Sequence, residues 1–164
     1  MATAALGLTA GVLPGDVADG SSAPRTLSER AVSHFERAVR WDAGSASLRH
    51  ELAIALSQAG RGPEAVAALE EAVRLEPQHA DYAYALGLAQ NEVGNLPAAI
   101  AAFERAVALE PRLGRVWYNL ALAREHRGDT AGALAALVHA EAASPQDADV
   151  SRTRSIILSR LQQA

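Results

Sequence analysis

Five histidines, an adjacent pair of glutamates and one glycine-rich tripeptide are the parts of this chain whose residue types could do chemistry. A metal site built on a helix needs imidazoles one turn apart, as in His-x-x-x-His or His-Glu-x-x-His. His34, His50, His79, His126 and His139 form no such pair, so a metal centre would need an unusual constellation across helices, and surface or groove imidazole is the ordinary reading. Glu70 and Glu71 are neighbours in sequence, which on a helix sends them to different faces and disfavours a catalytic dyad. Gly60-Arg61-Gly62 is a lone Gly-x-Gly with no strand before it, and therefore a turn and not a phosphate cradle. No Gly-x-Ser-x-Gly element or other nucleophile motif occurs. The chain has no cysteine, which removes disulfides, thiolate metal sites, a cysteine nucleophile and Cys-x-x-Cys-His haem attachment. The expectation is a protein with no catalytic, cofactor-binding or metal-ligating residues, and not an enzyme.

What the chain does have is a period. Pro77, Pro111 and Pro145 stand at equal intervals of 34 residues, each after a run of alanine, leucine and valine. Aligned on those prolines, three units emerge, Ala46–His79, Ala80–Leu113 and Gly114–Asp147. Each carries a leucine (Leu52, Leu86, Leu120) followed by a small residue (Ala53, Gly87, Ala121). Each then has an alanine (Ala65, Ala99, Ala133), a large apolar residue (Leu69, Phe103, Leu137) and a second alanine (Ala72, Ala106, Ala140). Gaps of four and three put the last three on one helix face, where small residues let helix axes approach and the large one fills the space beside them. Gly60, Gly94 and Gly128 mark the stop between two helices in every unit. A helical hairpin cannot bury its own apolar face, so such units stack.

This pattern resembles the tetratricopeptide repeat. The resemblance implies an all-α, right-handed α-solenoid of three helical hairpins, at 46–79, 80–113 and 114–147. Counting back in register, Ala31, Phe35 and Ala38 fall at second-helix positions and Thr26 to Glu29 has the form of a capping box, so 26–43 reads as a half repeat capping the array. The first helix expected before it is replaced by Val12–Arg25, with Pro14, Gly15, Gly20 and Pro24, a poor helix composition. Beyond the third unit, 148–164 is helix-like, but the apolar residues Val150, Ile156, Ile157, Leu158 and Leu161 do not follow the repeat pattern, and Arg154 stands at the leucine position. This segment reads as a C-terminal capping helix.

Net charge is mildly acidic, −4, with arginines interspersed among glutamates at helical spacing. That describes solvated faces with local pairs and argues against a nucleic-acid stripe. Residues 1–25 read as a disordered Ala/Gly/Ser tail, with a weak signal peptide or the remnant of a longer array as alternatives, since no lysine or arginine precedes Ala4–Leu13 and no small-x-small site follows. No segment is long and apolar enough to span a membrane. Compartment stays open between cytoplasm, slightly favoured, and periplasm.

Within the family that this chain resembles, the first helices line the concave side and their second, fifth, ninth, twelfth and thirteenth positions face the ligand. Carried over, the resemblance implies a peptide-binding groove including His50, Ile54, Tyr84, Leu88, Asn91, Arg115, Tyr118, Leu122 and Glu125. Two rows stand out, His50–Tyr84–Tyr118 and Ile54–Leu88–Leu122, an apolar bed beside rings with polar tips. The alternative is that the rows belong to ordinary repeat packing and partners use the convex face or the ends. Chaperone-binding members clamp a C-terminal carboxylate with a Lys/Asn pair, an Asn and a Lys/Arg. Here His50, Ile54 and Ala85 occupy the earlier positions, and of the clamp only Arg115 fits. The function expected is a non-catalytic interaction module or adaptor for a protein or peptide ligand. Alternatives are the repeat portion of, or an accessory subunit to, a larger enzyme or envelope-assembly complex, and a scaffold that self-associates through its ends.

Overall fold

The computed structural model describes residues 26–163, and the reading of residues 1–25 lies outside them. Among the described residues there are eight α-helices and no strand: α1 (Leu27–Trp41), α2 (Ala46–Gln58), α3 (Gly62–Leu75), α4 (Ala80–Glu92), α5 (Leu96–Leu109), α6 (Gly114–His126), α7 (Thr130–Ala143) and α8 (Ala148–Gln163). The tightest partners are the pairs α2/α3, α4/α5 and α6/α7, and each pair then packs on the next through α3/α4 and α5/α6. The result is an all-α stack of helical hairpins.

The turns inside the three hairpins share one chemistry. Gly60, Gly94 and Gly128 adopt φ of 74°, 81° and 86°, a region where an L side chain would be strained. The amide after each glycine reaches back to the last turn of the preceding helix, Arg61 N to Leu56 O at 2.9 Å, Asn95 N to Gln90 O at 2.8 Å and Asp129 N to Arg124 O at 2.9 Å. This satisfies carbonyls that the helix end leaves unpaired. Asp129 then starts the next helix by accepting from Gly132 N at 2.9 Å, and Asn95 does the same from Ala98 N at 3.5 Å. The N-terminal helix α1 begins with a full capping box, in which Thr26 and Glu29 accept each other's backbone amides.

Packing follows the small-large-small face of the second helices. Ala65, Leu69 and Ala72 in α3, Ala99, Phe103 and Ala106 in α5, and Ala133, Leu137 and Ala140 in α7 are all buried. Their equivalents in α1, Ala31, Phe35 and Ala38, are only half-buried, because no first helix covers them among the described residues. Volume is compensated between facing positions. Gly87 faces Phe103, and a Cβ on Gly87 would lie 2.5 Å from two ring atoms. At the equivalent positions of the other hairpins Ala53 goes with Leu69, and Ala121 with Leu137.

The C-terminal helix is in register with the repeats, although its apolar residues do not follow their pattern throughout. It starts at Ala148, one period after Gly114, and buries Val150 and Ile157 at the positions of Val116 and Ala123. α8 thus occupies the place of a fourth first helix. Arg154, at the leucine position, is accommodated because its guanidinium pairs with Glu141 of α7 at 2.5 Å. Van der Waals filling is replaced there by an ion pair at the edge of the core.

Candidate functional site

A cleft of about 630 Å³ lies between the first helices of the first two hairpins, with Arg115 of α6 at its far side. Its floor is apolar, built from Ala53, Ile54, Leu69, Ala85, Leu88 and Ala89. The alanines matter to its existence. At closely packed helix faces a methyl group leaves room where a leucine would fill it. Ile54 is 41% exposed and stands beside Leu88 on this floor.

The rim is polar and held in place by contacts across hairpins. Arg115 donates to Asp81 at 2.8 Å, linking α6 to α4. Its guanidinium also sits 5.1 Å from the centre of the Tyr84 ring. The Tyr84 hydroxyl accepts from Asn119 Nδ2 at 3.0 Å, and the ring leans on Phe103 with centroids 6.0 Å apart. Burial raises the Tyr84 phenol above its ordinary value, against the opposing charge of Arg115. At the other end Tyr82 lies between two imidazoles, stacked on His79 at 4.0 Å and tilted against His50 at 5.4 Å. The Tyr82 phenol is raised by burial and then by the carboxylates of Glu76 and Asp81. Glu92, Ser57 and Gln58 complete the lining.

Five of the nine expected groove residues, His50, Ile54, Tyr84, Leu88 and Arg115, line this cleft. The other four do not. Asn91 is exposed and lies off the cleft, and Leu122 is 40% exposed further along the row. Tyr118 and Glu125 are engaged by α8: the Tyr118 hydroxyl is 3.2 Å from the Thr153 hydroxyl, and Glu125 Oε1 is 3.6 Å from Arg160. The spacing of Ala148 after Gly114 was the signal for that cover. Tyr82 and His79 were missed as lining residues; Tyr82 sits at the third repeat position, where the other two hairpins carry the aliphatic residues Leu48 and Val116. Among the described residues, no group of three or more His, Asp or Glu side chains could hold a metal ion, and no helix is long and apolar enough to cross a membrane.

Several solved structures share this architecture. The crystal structure of MamA superposes with a TM-score of 0.77 at 18% identity, covering 84% of this chain and 85% of that one. YrrB, described as a TPR protein with an unusual peptide-binding site, gives 0.71 at 19% identity over 82% and 70%. The first TPR of Spaghetti (RPAP3), bound to the HSP90 peptide SRMEEVD, gives 0.68 at 15% identity over 71% and 93%. At these identities the likeness is one of fold. No curated protein matches the sequence significantly. Two sequence models described as tetratricopeptide repeat match residues 50–112 and 86–157, which together run from within α2 to within α8. With its 34-residue hairpins, their glycine turns and their alanine-bracketed packing faces, this chain belongs to the tetratricopeptide repeat family.

Proposed function

We propose that the protein is a non-catalytic adaptor that holds an extended or helical peptide in the cleft between α2 and α4. The fold is a protein-interaction module, and the observation that carries the reading is the cleft itself, with Ile54 and Leu88 on an apolar floor and Tyr84, His50 and Arg115 above it. A peptide would place an aliphatic or aromatic side chain against Ile54, Ala85 and Leu88, which removes exposed apolar surface on both partners. Its backbone would find the tyrosine hydroxyls and imidazoles at the rim.

Charge argues against an acidic C-terminal tail as the ligand, although one family member of known structure binds the peptide SRMEEVD. Among the described residues, Arg115 is the one guanidinium that lines the cleft, and it is already paired with Asp81, while Glu92 adds a second negative charge. A tail carboxylate would therefore meet no set of converging donors. An apolar anchor flanked by neutral or basic residues fits better.

A displayed library of random peptides selected on wild-type protein, then counter-screened on Ile54→Lys, tests this. Ile54 is exposed enough for lysine to be tolerated without unfolding. The expected outcome is a set of peptides sharing one bulky apolar residue, with binding lost at least tenfold on the variant. Peptides that bind both proteins equally would move the site out of the cleft.

A further inference from the structure

A second groove, of about 280 Å³, lies between α3, α4 and α5 and shares no lining residue with the peptide cleft. Ala83 and Leu86 of α4 and Ala101 of α5 belong to its apolar lining, and Glu70, Gln90 and Arg105 bring polar atoms to it. Pockets for drug-sized ligands take about 300–1,000 Å³, so this space suits a single side chain.

One period further along the chain, the equivalent positions are filled from within. Trp117 stands at the position of Ala83; its ring stacks on His139, at the position of Arg105, at 4.4 Å, and its indole N–H donates to Pro111 O at 2.9 Å. Arg124 stands at the position of Gln90 and donates to Glu104, at the position of Glu70, at 2.7 Å. Under this cover Leu120 is 0% exposed, whereas Leu86, at the same repeat position, is half-buried. The first hairpin also has a long side chain in register, Arg49, which donates to the Ala43 carbonyl. In the second hairpin both the indole and the guanidinium are missing. Arg105 reaches the Pro77 carbonyl instead, at 2.7 Å. Among the described residues Glu70 has no ion pair, and the Gln90 side-chain amide, on a residue only 7% exposed, has no hydrogen-bond partner.

The geometry points to this groove as the docking site for a tryptophan side chain of a partner protein, carried next to a lysine or arginine. The indole would lie over Ala83 and Leu86 and stack on the Arg105 guanidinium, as Trp117 stacks on His139. With Pro77 O already occupied, its N–H would donate to the Gln90 side-chain carbonyl. The partner's cation would pair with Glu70, as Arg124 pairs with Glu104. The chain itself supplies the argument for this occupant, since it places an indole and a guanidinium at the same positions of its next hairpin. The proposal does not depend on what occupies the cleft between α2 and α4.

The test is an NMR titration of the full 164-residue chain with three blocked dipeptides, Trp-Arg, Leu-Arg and Trp-Glu. Trp-Arg is expected to shift the amides of Ala83, Leu86 and Ala101 and to bind about tenfold more tightly than either of the others. Glu70→Gln should remove the preference for Trp-Arg over Trp-Glu. Ala83→Trp, which fills the groove as Trp117 fills its own, should abolish binding while circular dichroism shows an intact fold. If that variant does not fold, Ala101→Lys, at an exposed position beside Glu70 in the groove lining, takes its place. Shifts centred on Ile54 and Leu88, equal binding of Leu-Arg, no binding of Trp-Arg, or binding that survives in the filled groove would each overturn the proposal.

Discussion

Replacing Gly87 by alanine sets two physical effects against each other. Alanine is preferred over glycine inside a helix by roughly 1 kcal/mol, and Gly87 lies in the middle of α4, so propensity alone predicts stabilisation. The new methyl, however, would stand 2.5 Å from Cδ1 and Cε1 of Phe103, about 1 Å closer than ordinary contact. The ring cannot swing away, because Phe103 is 1% exposed and enclosed by the central core. Overpacking of this kind costs about 1–3 kcal/mol, which offsets the propensity gain and leaves a net loss of up to about 2 kcal/mol. Phe103→Leu alone leaves a void beside glycine and also destabilises, by roughly 1–2 kcal/mol. Together the two changes recreate the Ala/Leu pairing of Ala53 with Leu69 and of Ala121 with Leu137, so the double variant should lie closer to wild type than either single one. Urea unfolding followed by circular dichroism gives the four stabilities, and a coupling of about 1–3 kcal/mol is expected between neighbours in contact. A Gly87→Ala protein more stable than wild type, or single effects that simply add, would refute the claim that the facing pair was matched by volume.

Other perturbations test the remaining parts. Leu120→Ala should cost about 2–5 kcal/mol, since Leu120 is fully enclosed, and Leu86→Ala should cost less because Leu86 is only half-buried; denaturant midpoints check the order. Glu64 is bonded to Arg61 at the start of α3, and that hydrogen bond holds its carboxyl below the ordinary 4.5. Its contribution is therefore present above pH 4.5 and lost as the pH falls further, and Glu64→Gln should flatten the acid limb of the stability curve slightly, the effect being small because the pair is exposed. Tyr84, with its phenol raised above 10.0, behaves in the opposite sense. The stability from its burial is present below pH 10 and lost as pH rises through the folded value, so Tyr84→Phe should move the alkaline end of the unfolding profile upward.

The repeat was legible because its packing uses residue types that cannot be exchanged freely. Glycine at the three turns is needed for positive φ, and alanine on either side of Leu69, Phe103 and Leu137 is needed for close helix approach. Such constraints recur at fixed offsets and can be read without coordinates. The place of α8 was less legible, because Arg154 breaks the apolar pattern at the leucine position and only the spatial neighbour Glu141 makes that tolerable. The same helix decides which groove positions remain open, since it engages Tyr118 and Glu125. The parts of the cleft that come from facing hairpins, the stacked His79 and Tyr82 and the alanine floor, depend on distances between elements that periodicity does not supply.

Occupation of the cleft between α2 and α4 by a peptide can be observed residue by residue. The most direct measurement is a heteronuclear NMR titration of the folded protein with a selected peptide. Shift changes are expected to concentrate at Ile54, Ala85, Leu88 and Tyr84 and to be abolished in Ile54→Lys. Changes concentrated instead on the second helices α3, α5 and α7, with Ile54 and Leu88 unmoved, would contradict it.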